Sequence, residues 1–157
     1  MQPKRGKLAL WGFVAIGAAW LFATQARGAE ESPAGEAKPT LVINLTSGKE
    51  DLHAVVMGFH LAEHGLADGR EVVLFFNVKA PPLARKTLDD SIRFEDLPPV
   101  RVMIGGLIKK GAKILVCPMC AEITGVSADE LAPGVTMIED RRQLFDHLHA
   151  DAVVFTY

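Results

Sequence analysis

The chain has 157 residues, 49% hydrophobic and 23% charged, with a formal net charge of −2 and two cysteines. That length suits one small domain, and one cysteine pair is too little for a disulfide scaffold. The charge gives no support to nucleic-acid binding, because phosphates demand a basic surface.

The amino terminus reads as a secretory signal peptide, residues 1–29. Lys4, Arg5 and Lys7 make a positive n-region, Leu8 to Ala23 is apolar without a charge, and small residues at Ala26 and Gly28 are spaced for cleavage after either. The apolar run of 16 residues is shorter than the roughly 20 needed to span a bilayer, which makes an uncleaved anchor the minor alternative. The expected location is therefore periplasmic or secreted, with no membrane contact after cleavage. Residues 30–39, rich in Glu, Ala, Pro and Gly, read as a flexible linker. Removing residues 1–29 takes four of the 17 basic residues and none of the 19 acidic ones, leaving a formal charge of −6.

Residues 40–157 then alternate strands and helices. Thr40 to Thr46 is apolar on both faces and reads as a first strand. Ser47 and Glu50 match a capping box for a helix from about Glu50 to Glu63, ending near Gly65. Leu52, Val55, Val56, Phe59, Ala62 and Leu66 form its apolar stripe. Glu71 to Val78 is a second, nearly continuous apolar strand. Lys79 to Pro99 reads as a surface excursion with a short helix around Leu83 to Leu88, of the kind that serves as a lid or an oligomer contact. Helical periodicity resumes from Val100 to Lys110, and Gly111 ends it.

Ala112 to Val116 is a third strand, and it runs straight into Cys117-Pro118-Met119-Cys120. One or two helical turns reach Gly125, and Ser127 with Glu130 offers a second capping box. Val135 to Ile138 is a short strand. Asp140 caps a helix through Leu148, with Leu144, Phe145 and Leu148 inward, and Asp151 to Tyr157 closes as a last strand. The order predicts an α/β fold: a single doubly wound, mostly parallel sheet of about five strands with helices on both faces. No internal repeat is present.

The cysteine pair carries the chemistry. Thiols at the carboxyl end of a strand sit where open α/β sheets bind ligands and react. Unpaired N–H groups and the dipole at a helix start lower a thiol's pKa, and Pro118 suits a first helical position. Cys117 is then the more accessible nucleophile, and Cys120, one turn on, is placed to attack a sulfur carried on Cys117. The structural alternative is two buried, inert thiols. A thioredoxin fold is disfavoured: the pair follows the third strand, Val116 precedes it, and no proline loop faces it clearly, Pro133 being two residues before Val135.

His53, His60 and His64 project within about 40° of one another on the first helix. They have no carboxylate at matching spacing and read as a polar boundary or subunit-contact face rather than a metal site. Met119 reads as packing rather than as a copper ligand. There is no GxGxxG and no P-loop, so neither nucleotide nor other cofactor is expected, and no metal ligand set is assigned. No Ser/His/Asp arrangement stands out.

Taken together, residues 40–157 resemble the DsrE/DsrF-like family, which includes TusD and the YchN-like proteins. The likeness rests on Leu41 to Gly48, on Val73-Leu74-Phe75-Phe76-Asn77, on Lys110 to Cys120 followed by Gly125-Val126, and on Asp151 to Val154. The spacing from Cys117 to Gly125-Val126 is its most specific element. The resemblance implies homo-oligomers, often trimers or hexamers, and transfer of sulfane sulfur through a persulfide on Cys117. Cys120 matches a second thiol seen only in some branches. Sulfur donor and acceptor proteins or small sulfur compounds are the implied partners. The chain departs from the best-described relay members in its signal peptide, since those are cytoplasmic. It departs also in its CxxC, which allows an internal disulfide to compete with persulfide storage. Three functions follow: an exported sulfur carrier or sulfurtransferase-like protein; a thiol–disulfide oxidoreductase using Cys117 and Cys120; and a non-enzymatic oligomeric or metal-binding module.

Overall fold

The computed structural model describes residues 38–157; the signal-peptide reading of 1–29 and nearly all of the linker reading of 30–39 lie outside the described residues. Five strands form one sheet: β1 (Leu41–Leu45), β2 (Val72–Phe76), β3 (Lys113–Val116), β4 (Val135–Met137) and β5 (Val153–Thr156), in the order β4-β3-β2-β1-β5. Every pairing is parallel, with Leu41 opposite Val72 and Val153, and Phe76 opposite Val116. The helices are α1 (Leu52–Ala67), α2 (Val100–Lys109), α3 (Pro118–Ile123) and α4 (Arg142–Phe145).

Topology decides which face each helix covers. From β1 to β4 the chain steps across the sheet in one direction, so right-handed crossovers put α1, α2 and α3 on one face. The return from β4 to β5 runs the other way and puts α4 on the opposite face. The packing follows. Ile43, Leu45, Leu74 and Phe76 join Val55, Phe59, Ile104, Leu107 and Ala121 in the main core. The alternate residues Val42, Val73 and Leu115 meet only Ile138, with Phe75 and Leu144 partly buried beside them. The sheet is thus thickly covered on one side and thinly on the other.

Several local expectations are corrected. Ser47 and Glu50 do not cap α1: Asp51 does, its Oδ1 accepting from Ala54 N at 3.0 Å, while Glu50 Oε1 accepts from Gly48 N. The helix runs past Gly65 to Ala67, and Gly69 makes the turn at φ +75°. The excursion is not wholly a surface feature, because a 3₁₀ turn at Pro81–Ala84 buries Leu83 and Ala84 in the core, and Leu88 is buried behind it. α4 is one turn long and leaves Phe145 57% and Leu148 37% exposed, so of its three expected inward residues only Leu144 packs. The second capping box does form, Glu130 Oε2 accepting from Ser127 N at 2.9 Å.

Candidate functional site

The parallel register sets the site. Cys117 N donates to Phe76 O at 3.0 Å, so the first thiol continues the β3 ladder at the carboxyl edge of the sheet. Its backbone is extended (φ −68°, ψ 119°), and Pro118 then opens α3, which Cys117 O anchors by accepting from Ala121 N at 2.9 Å. The far end of α3 is held by Gly125 at φ +70° and by Val126 N, which donates to Ala121 O at 2.8 Å. Nη2 of Arg85, the residue that follows the 3₁₀ turn, donates to Gly125 O. This explains the spacing between Cys117 and Gly125-Val126: it is one short helix with both ends tied.

The two thiols are free and half-buried, and they face different surroundings. Strand alternation turns Cys117 to the thinly covered face. There it lines a cleft of about 360 Å³ with Phe75, Pro118, Met119, Ile138, Leu144 and Phe145, and with Glu139, Asp140 and Arg141 at its rim. Cys120 lies beside the Cys117 thiol and donates to Asn77 Oδ1 at 2.9 Å. Burial, and after it the neighbouring Cys117 thiol, pushes the Cys120 thiol up, while the nearby Val78 amide pulls the other way. Cys120 is therefore held as a neutral thiol that donates.

Asn77 follows β2 and occupies the hub of a short polar chain. Its Oδ1 accepts from Val78 N at 2.9 Å as well as from Cys120, and its Nδ2 reaches Asn44 Oδ1 at 3.5 Å. Asn44 Nδ2 in turn donates to Thr156 Oγ1 at 3.4 Å. The chain crosses the carboxyl ends of β5, β1 and β2 and terminates on the second thiol. Sequence reasoning assigned Asn77 no role. The available signal was a polar residue closing an apolar strand, at the edge where parallel sheets place their chemistry.

Met119 does not pack as expected: it is 63% exposed and forms part of the cleft wall. The histidines are not brought to the thiols. His53 stacks on Phe94 at a centroid distance of 4.9 Å. His60 does have a carboxylate neighbour, Glu63 at 3.6 Å, but that carboxylate binds Lys110 more closely, at 2.8 Å. Among the described residues no three metal-ligating side chains converge. No helix among them is long and apolar enough to cross a membrane.

The fold recurs in solved structures. A protein of unknown function, MTH1491 from Methanobacterium thermoautotrophicum, superposes with a TM-score of 0.53 at 15% identity, over 76% of this chain and 100% of that one. The ychN protein of E. coli gives 0.56 at 14% identity, over 76% and 99%. BT1422 from Bacteroides thetaiotaomicron, of unknown function, gives 0.51 at 18%, over 75% and 94%. None of the curated proteins matches the chain. At these identities the likeness speaks to the fold alone; a sequence-family model is more specific. The model of the DsrE/DsrF-like family matches residues 40–154, from the first strand into the last, and the chain belongs to that family.

Proposed function

We propose that the protein is an exported sulfur carrier of sulfurtransferase type that holds a persulfide on Cys117, with Cys120 as the second thiol. The family is associated with sulfur relay. The observation that carries the reading is the different engagement of two neighbouring thiols: Cys117 lines the apolar cleft, while Cys120, beside it, donates to Asn77. A carrier needs one sulfur that a donor can reach and a second that does not compete with it. In loading, the Cys117 thiolate attacks the outer sulfur of a donor persulfide, and the donor thiolate leaves with the bonding electron pair. The apolar walls limit water at the loaded sulfur.

The signal-peptide reading of residues 1–29 places this chemistry in the periplasm or outside the cell, so the donors and acceptors are those of that compartment. Oligomerisation is common in the family. β5 supports a second copy of the chain as partner, because this edge strand leaves Val153, Val154 and Phe155 between 42% and 53% exposed. Mass spectrometry of the mature protein after incubation with polysulfide tests the carrier. Wild type gains one sulfur, mapped to the Cys117 peptide, and Cys117→Ser gains none. No added sulfur on wild type, or an unchanged amount on Cys117→Ser, sinks the reading. Native spectra of the same samples read the copy number.

A further inference from the structure

A CxxC carrier has an internal hazard. Once Cys117 holds a persulfide, the Cys120 thiolate can attack Cys117 Sγ. The bond to the outer sulfur then breaks, its electron pair leaves with hydrosulfide, and the proton from Cys120 completes hydrogen sulfide. The product is a Cys117–Cys120 disulfide, and the cargo is lost without any external oxidant. The rate depends on how often Cys120 is a free thiolate aimed at Cys117.

Three observations bear on that rate. The Cys120 thiol donates to Asn77 Oδ1 at 2.9 Å, across 43 residues of sequence. The orientation of the Asn77 amide is not arbitrary, because its Oδ1 also accepts from Val78 N, which can only donate, and its Nδ2 faces Asn44 Oδ1. Asn77 itself is fixed by backbone bonds: its N donates to Leu45 O at 2.8 Å and its carbonyl accepts from Ala80 N at 2.9 Å. A rigid acceptor thus meets the thiol proton, favouring the form of Cys120 that does not attack.

We propose that Asn77 is a positioning residue of the carrier: by accepting the Cys120 S–H it holds the second thiol out of reaction and keeps a sulfur on Cys117 from discharging into an internal disulfide. The inference rests on the carrier reading of Cys117. It makes the bond a latch, with discharge following its opening.

The latch can be read without a persulfide. With the chromogenic disulfide dithiobis(nitrobenzoate), Cys117 releases one coloured thiolate in forming a mixed disulfide, and attack by Cys120 releases a second in closing the pair. On the mature protein, Asn77→Ala accelerates the second phase about fivefold or more, the worth of one ordinary hydrogen bond, and moves its pH profile to lower pH. The first phase is unchanged. Asn77→Asp, which keeps the acceptor and adds a negative charge, slows the second phase and moves its profile up. Loaded with polysulfide, Asn77→Ala loses its added sulfur as hydrogen sulfide faster than wild type. Equal closing rates and pH profiles in all three proteins overturn the proposal, as does slower closing in Asn77→Ala. If Cys117→Ser loads as well as wild type, the carrier reading fails. If it does not load, yet Asn77→Ala holds its sulfur as long as wild type, the carrier reading stands and the latch fails.

Discussion

The backbone strain in the candidate site is stored in one residue. Val78 sits at φ +50°, a region that a β-branched side chain rarely enters, and the residue is 49% exposed, outside the buried core. The conformation is imposed from outside. Val78 N donates to Asn77 Oδ1 and Lys79 N to Thr46 O, bonds that turn the chain sharply away from β2 and aim the Val78 amide at the thiol end of the site. Such strain costs about 1–3 kcal/mol, and a glycine there gives back roughly 0.5–1 kcal/mol in chain entropy. Val78→Gly is therefore expected to raise the unfolding free energy by about 1 kcal/mol in urea titrations; a variant less stable than wild type would show that the turn does not carry the strain. At this scale the sequence was half legible. Two thiols at a strand end follow from Ala112 to Cys120 read locally. The partner of Cys120 does not, because a hydrogen bond to Asn77 exists only once β2 and β3 lie side by side.

Among the elements, α1 shows how one residue type sends two messages. Gly65 reads as a helix stop, yet α1 continues to Ala67, and Gly65 is instead where the helix comes closest to the sheet. A Cβ there would lie 2.6 Å from Leu41 Cδ2 and 3.0 Å from Val72 Cγ2. Gly105, in the middle of α2, has open space around the same position. The two glycines should therefore respond oppositely. Gly65→Val overpacks the contact between α1 and the β1–β2 pair and costs about 1–3 kcal/mol. Gly105→Ala gains about 0.5–1 kcal/mol from helix propensity alone. Thermal unfolding of both variants checks this, and a stabilised Gly65→Val would mean that α1 does not approach the sheet so closely. Apolar periodicity made α1, α2 and the three central strands legible because their burial is two-sided or follows one clear stripe. It misled at α4, where Leu144, Phe145 and Leu148 suggest a core face. A single turn over an open sheet partly buries only the first of them and leaves Phe145 as cleft wall.

For the whole molecule, charge sets the conditions under which the fold persists. Carboxylates at several joints lie below their usual range. Glu71 is held down by the hydrogen bond from Lys113, against the cost of partial burial, and by Thr40, joining the amino ends of β1, β2 and β3. Glu63 is held down by Lys110, which ties α1 to the end of α2. A carboxylate depressed in the folded state adds stability that is complete above its unfolded value, about 4, and is lost as pH falls through the folded value. Cys120 has the opposite sign. Its folded value is raised, first by burial, so its contribution is complete below the unfolded thiol value of about 8.5 and is lost as pH rises through the folded one. The urea midpoint of the reduced protein should therefore be level from about pH 5 to pH 8 and fall on both sides. The two limbs belong to different kinds of group, so two substitutions tell them apart. Cys120→Ala, which cannot titrate, should flatten the start of the alkaline limb and leave the acid limb in place. Glu71→Gln should make the acid limb shallower, with Glu63 carrying part of what remains, and leave the alkaline limb in place. An alkaline limb equally steep in Cys120→Ala would assign it to another group and remove the thermodynamic sign that the second thiol is held protonated in the folded protein.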